Sequence, residues 1–135
     1  MPTDAMETLL ALASASSIAT QTLEAQGLSF SELRLLLAMR AASSGGRRPT
    51  DLARELHLTA SGITRALLPL EKRGIVAREK DPGDARASQA ILTPAGRQLL
   101  DEALAVAAEK GARLLRRLSV GQTKQLQRLL EEVGR

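Results

Sequence analysis

Cysteine, tryptophan and tyrosine are absent from the 135 residues, and Phe30 is the single aromatic side chain. Without cysteine there can be no disulfide framework, thiolate nucleophile, thiol redox switch or cysteine-based zinc site. His57 is the single histidine. With scattered carboxylates it offers too few donors for a metal centre, so no metal and no cofactor are expected. An interior without aromatics must be filled by Leu, Ala, Val and Ile, which suit close helix-on-helix packing, so a mainly α fold is expected. No apolar run approaches the roughly 20 residues that a membrane-spanning helix needs. The stretch LLALASASS, residues 9–17, has the look of a signal-peptide apolar region, but Asp4 and Glu7 stand where a positive flank is required. It is read as a helix, and the expected protein is soluble and cytoplasmic, with no membrane partner.

Enzyme signatures are missing too. There is no phosphate-binding GxxxxGK, nucleophile-elbow GxSxG or dinucleotide GxGxxG. The acidic neighbours Asp101 with Glu102, and Glu131 with Glu132, are adjacent on helices and point in different directions, so they do not form an acid/base pair. No enzyme is expected.

The chain has 44% hydrophobic residues and a mass of 14.4 kDa, enough for one compact domain whose core is marginal unless a partner subunit extends it. Formal net charge is +4 and the pI is near 10.3. The charge is uneven: residues 47–97 hold ten Lys/Arg against six Asp/Glu, whereas residues 1–46 hold two against four. The middle of the chain is therefore the part expected to face an anion, whether nucleic acid, lipid surface or acidic protein.

Helical spacing of Leu9, Leu12, Ala19 and Leu23 predicts a first helix over 5–26, with Gly27 as its terminator. Ser29 and Glu32 form a capping box that opens a second helix over about 30–42, and SSGGRRP, residues 43–49, is a flexible connection. Thr50 and Asp51 start a third helix carrying Leu52, Ala53 and Leu56; a tight turn at Leu58 and Thr59 follows. His57, at the end of that helix, either complements its dipole or packs at the turn.

In the next segment, TASGITRALLPLEKRG, residues 59–74, Ile63, Ala66, Leu67 and Leu70 share one face. Ser61, Gly62, Thr64, Arg65 and Lys72 fall largely on the other, a low surface suited to lie against something flat or grooved. Pro69 lacks an N–H and should kink or tighten this helix. Gly74 ends it, IVAREK (75–80) and SQAIL (88–92) alternate as strands, and DPGD turns between them into a hairpin. Thr93 caps and Pro94 starts a long helix. Its Leu100, Leu104, Ala107, Gly111, Leu114 and Leu118 recur at steps of four and three, a seam against another helix. Ser119 with Gln122 opens a last helix bearing Leu126, Leu129, Leu130 and Val133.

Two helices around a tight turn followed by a hairpin make a winged helix-turn-helix. The stretch LTASGITRALLPLEKRGIVAREKDPGDARASQAILTPAGRQLL, residues 58–100, resembles the MarR family of bacterial transcriptional regulators, above all in LEKRG, in the D-x-R of Asp84 to Arg86, and in LTPAG. That specific part is about a third of the chain; the remainder resembles the family in helix order and length. The resemblance implies one MarR-like domain over 1–135, with a winged-helix lobe at about 30–92 and dimerisation helices at 1–28 and 93–135. It also implies a homodimeric, sequence-specific regulator of double-stranded DNA, a repressor, on a pseudo-palindromic operator with half-sites about 10 base pairs apart. Residues 59–73 would enter the major groove, Arg86 would be the wing arginine, and Asp84 would hold the wing.

Within that frame Arg65 is expected to read bases through a planar fork, Ser61 and Thr64 to bond bases or phosphates, and Gly62 to permit close approach. Thr59 would cap the helix and touch phosphate. Arg47, Arg48, Lys72 and Arg73 are expected at phosphates, with stabilisation of the helix end as the alternative for Arg73. The resemblance also implies a small-molecule effector in a cleft lined by Phe30, Leu33, Leu36, Leu37 and Arg40; the alternative is that these are ordinary core. The competing function is a winged-helix protein-interaction module without DNA binding, against which the presence of Arg65, Asp84 and Arg86 weighs.

Overall fold

Four side-chain caps fix where helices begin. Ser29 Oγ accepts from Glu32 N–H at 3.1 Å while Glu32 Oε1 accepts from Ser29 N–H at 2.9 Å. Ser119 and Gln122 repeat that reciprocal pattern at 3.1 and 2.9 Å. Thr59 Oγ1 accepts from Gly62 N–H, and Thr93 Oγ1 from Gly96 N–H, each at 3.0 Å. A cap of this kind contributes about 1 kcal/mol.

The computed structural model describes residues 2–41 and 46–135. In chain order the elements are α1 (Pro2–Thr22), α2 (Phe30–Arg40), β1 (Gly46–Arg47), α3 (Pro49–Leu56), α4 (Ala60–Lys72), β2 (Val76–Asp81), β3 (Asp84–Leu92), α5 (Pro94–Leu114) and α6 (Val120–Val133). The three strands form one antiparallel sheet in the order β1-β3-β2. The fold is mainly helical with a small wing, as expected.

Some boundaries differ from expectation. α1 stops at Thr22 rather than 26, because Ala25 and Leu28 exchange backbone hydrogen bonds at 3.0 and 2.9 Å. The two residues between them, Gln26 and Gly27, take φ of 53° and 73°. Gly27 thus belongs to a two-residue turn that needs positive φ. Of the connection expected over 43–49, residues 43–45 lie outside the described residues, while Gly46 and Arg47 are a strand paired with Ile91 and Ala90. Gly46 suits this edge because a Cβ there would sit 2.5 Å from Gln89 Oε1 and 3.0 Å from Ile91 Cγ2. α3 begins at Pro49 with Arg48 as its N-cap, one residue before the expected start. His57 closes α3 in the left-handed region, φ 55°, with its backbone N–H on the carbonyls of Ala53 and Arg54 and its side chain exposed. β3 extends back to Asp84, past the expected start at 88.

α4 presents Ile63, Leu67 and Leu70 to the core, all fully buried, and continues through Pro69 to Lys72. Leu28, Leu33, Leu36, Leu52 and Leu100 close around them, so the interior beneath the helix is almost all leucine. Complete burial of such a side chain is worth roughly 1.5–3 kcal/mol. The α5 seam divides: Leu100 and Ala103 are buried in the chain's own core and Leu104 and Ala107 pack against it, whereas Leu114, Leu115 and Leu118 are exposed. Large apolar side chains are also exposed along α1 (Met6, Leu9, Leu10, Ile18) and α6 (Leu129, Leu130, Val133).

The hairpin base, the end of α4 and the start of α5 meet at Ile75. Ile75 N–H donates to Leu70 O at 3.0 Å, and Ile75 O accepts from Thr93 N–H and Oγ1, both at 3.1 Å. Thr93 Oγ1 also lies 2.6 Å from Gly74 O. A Cβ on Gly96 would stand 2.1 Å from Ile75 O and 2.9 Å from its carbonyl carbon. Because backbone cannot yield as a side chain tip does, Gly96→Ala should destabilise the fold by about 1–3 kcal/mol. Urea unfolding should show a lower midpoint with the slope unchanged; an unaltered midpoint would show that the junction has slack.

Candidate nucleic-acid interface

The outward face of α4 follows from its inward one. With Ile63, Leu67 and Leu70 turned to the core, Ser61 and Arg65 are exposed and Gly62 and Thr64 half-buried. Thr59 Oγ1 holds the cap and lies 3.3 Å from Ser61 Oγ. Thr64 turns its hydroxyl back to Ala60 O at 3.1 Å, so its proton is used within the helix and its oxygen remains free to accept. Gly62 has a local reason besides the expected close approach: a Cβ there would stand 3.0 Å from Thr59 Oγ1 and crowd the cap.

The hairpin is held by an acid in its turn. Asp81 is 7% exposed, and its carboxylate pairs with Arg48 Nε while accepting from Gly83 N–H at 2.7 Å and from Gln89 Nε2 at 3.4 Å. The Arg48 guanidinium, then the Gly83 N–H, hold the Asp81 carboxyl below its ordinary value against the opposing effect of burial. In turn Asp81 raises Arg48. Asp84 Oδ1 accepts from Arg86 N–H at 2.9 Å, so it fixes the backbone that carries Arg86 rather than the guanidinium itself. Arg78 pairs with Glu71, tying β2 to the last turn of α4. An Asp two residues before a Gly in D-P-G is the sequence signal that could have identified Asp81.

These bonds sort the basic residues of the middle region into two groups. Arg47 Nη1 donates to Ala38 O at 3.1 Å and to Glu55 Oε2 at 2.6 Å, Arg48 is held by Asp81, and Arg73 Nη1 donates to Gly27 O at 3.1 Å. Arg47 and Arg48 are therefore tied to carboxylates within the protein, and Arg73 fits its alternative role at the helix end. Arg65, Lys72 and Arg86 are exposed, and their side chains carry no hydrogen bond or ion pair among the described residues.

Of the five residues expected at an effector cleft, Leu33 and Leu36 are 2% and 0% exposed and belong to the core. Leu37 packs against that core, Phe30 is half-buried, and Arg40 Nη1 pairs with Asp101 Oδ1 at 2.9 Å, joining α2 to α5. An apolar cavity of about 650 Å³ lies elsewhere, among Leu12, Ile18, Leu115, Leu126, Leu130 and Val133 of α1, α6 and the end of α5. Among the described residues no group of three His, Asp or Glu could hold a metal, and no helix is long and apolar enough to cross a membrane.

The sequence profile of the MarR family matches residues 26–87. An HTH-type transcriptional repressor of Mycobacterium tuberculosis is 36% identical over 93 residues, 69% of this chain and 67% of that protein. A MarR family transcriptional regulator from Streptomyces coelicolor, solved in complex with DNA, superposes with a TM-score of 0.85 at 25% identity, covering 99% of this chain and 88% of that one. The transcriptional repressor CouR, bound to a 23-mer DNA duplex, superposes at 0.82 with 26% identity, over 93% and 90% of the two chains.

The Asp81 anchor has a pH signature. A depressed carboxyl contributes stability that is fully present above its unfolded value, 3.8, and is lost as pH falls from there through the lower folded value. Asp81→Asn should therefore be less stable than the parent near neutrality, with the gap closing as pH falls below about 4. Urea midpoints of both proteins between pH 7 and 3 would measure this, and a gap constant across the range would show that the charge contributes nothing.

Proposed function

This chain belongs to the MarR family of transcriptional regulators, and from that premise we propose that it is a homodimeric repressor which grips a pseudo-palindromic site on double-stranded DNA. In this reading α4 enters the major groove and the β2–β3 wing reaches the adjacent minor groove or backbone. The carrying observation is that Arg65 on α4 and Arg86 on the wing are exposed and unpaired among the described residues, while Arg47, Arg48 and Arg73 are tied to Glu55, Asp81 and the Gly27 carbonyl. An unpaired guanidinium has no internal bond to surrender before it meets guanine O6 and N7 or a narrow minor groove. Lys72 adds phosphate attraction, and Thr59 and Ser61 sit at the helix N-terminus, where backbone N–H groups favour phosphate oxygens.

Residues 30–92 would form the DNA-binding lobe and residues 1–28 and 93–135 the dimerisation helices. The exposed apolar side chains of α1, of α6 and of the end of α5 support this division, since monomeric proteins rarely leave so much contiguous apolar surface open. Release by a small-molecule effector would have to use Phe30, Leu37 and Arg40, because Leu33 and Leu36 have no surface to offer. The regulators among its relatives support a non-enzymatic, cytoplasmic role.

Arg65→Ala and Arg86→Ala are each expected to weaken promoter binding by about 1–3 kcal/mol at fixed salt. Arg47→Ala should leave the dependence on salt unchanged, because a side chain bound to Glu55 releases no counterion from DNA. Titrating a labelled promoter duplex and a random duplex at two salt concentrations reads all three; parental affinity in both Arg65 and Arg86 variants would refute the interface. Sedimentation at micromolar concentration should give a dimer, and a monomer would remove the symmetric half of the proposal.

A further inference from the structure

Four cations share one cleft at the far end of α5. Thr22, Lys110, Arg113, Leu114, Arg116 and Arg117 line a cavity of about 580 Å³ between the end of α1 and the α5–α6 turn. Lys110 and Arg113 are three apart on one face of α5, and Arg116 and Arg117 of the following turn line the same cleft, where like charges repel. Carbonyls at the C-terminal end of α5 offset part of that repulsion. They do not supply a counter-ion. Ion pairs among the described residues take up Arg40, Arg47, Arg48, Arg54, Arg78 and Arg135, and none of these four cations. The three guanidinium groups carry no hydrogen bond among the described residues, and the Lys110 ammonium donates only to a backbone carbonyl, that of Glu24.

That carbonyl opens the turn between α1 and α2. The turn consists of Ala25 and Leu28 bonded to each other around Gln26 and Gly27, and its Gly27 carbonyl accepts from Arg73, the C-cap of α4. One short segment is thus held from one side by the cationic cleft and from the other by the end of the helix that carries Arg65.

We propose that this cleft binds a small, multiply charged phosphate anion, and that the anion draws Lys110 away from Glu24 and loosens the turn holding the end of α4. Guanidinium forks match phosphate oxygens in bidentate pairs, and an ammonium adds a compact charge beside them. Arg113 lies about 30 Å along α5 from the hairpin base, at about 1.5 Å per residue, which favours a free ligand over the DNA held by α4 and the wing. The effect on DNA rests on the function proposed above; the binding does not.

The probe is inorganic pyrophosphate, with inorganic phosphate as the weaker comparison and sodium chloride at matched ionic strength as the control. Calorimetry on the full chain should show saturable binding, weakened at least tenfold in the Arg113→Ala/Arg117→Ala double variant. Hydrogen exchange at the Ala25 and Leu28 amides should quicken several-fold with pyrophosphate in the parent and not in the variant. Promoter affinity should fall with pyrophosphate in the parent alone. The proposal is overturned if millimolar pyrophosphate does not bind saturably, or if the variant binds it equally well. It is also overturned if the variant, without pyrophosphate, loses promoter affinity or its dimer, because the cleft would then be a DNA or subunit contact. A parent chain that binds pyrophosphate and shows faster exchange but never binds duplex would instead remove the DNA-binding function.

Discussion

The contact between the first turn of α5 and the carbonyl of Ile75 sets the rest of the molecule. At that one carbonyl the last turn of α4, the base of the hairpin and the start of the long helix are pinned together, and only a glycine at 96 lets the backbones come so near. The directions of α4 and of the wing are thereby fixed relative to α5. On the proposed reading, in which two arginines meet DNA at once, this rigidity matters, since a loose hinge would lose in ordering entropy much of what two contacts gain.

A second theme is how the positive charge of the middle region is divided. The net charge of +4 describes the whole chain, yet most arginines between residues 47 and 78 are tied to carboxylates or carbonyls. Where both partners are exposed such ties add little to stability, whereas the Asp81 carboxylate is buried. Their effect is on placement: Arg48 with Asp81 braces the hairpin, Arg78 with Glu71 joins it to α4, and Arg73 secures the turn before α2. Arg65 and Arg86 remain as free guanidinium groups on two separately braced elements.

Much of this was legible from the residues. The caps at Ser29, Thr59, Thr93 and Ser119 formed as read, because such caps are local and need only a backbone three residues on, whereas the start placed at Thr50 moved to Pro49 behind an Arg48 N-cap without a side-chain bond. Ile63, Leu67 and Leu70 turned inward as their spacing implied. What was hidden depended on distant partners. Gly46 becomes a strand because β3 is there to pair with it, α1 ends early because of a bridge at 25 and 28, and Arg47 finds Glu55 only after β1 has formed. The roles of Arg48 and Asp81 were missed for the same reason, as 33 residues separate the two. The apolar repeat in α5 was visible, but the sequence could not show that its first half faces the chain's own core and its second half does not.

α6 has no buried residue of its own, although it ends the chain with leucines on several turns. A helix of 14 residues with so little intramolecular cover is near the length at which isolated helices are marginal in water. Whatever surface covers it must then supply part of the free energy that keeps it folded, so the order of this end of the protein depends on how much of its cover is present. Where that cover is a second copy of the chain, as proposed, abundance would regulate conformation here, and a scarce chain would differ in shape from a plentiful one.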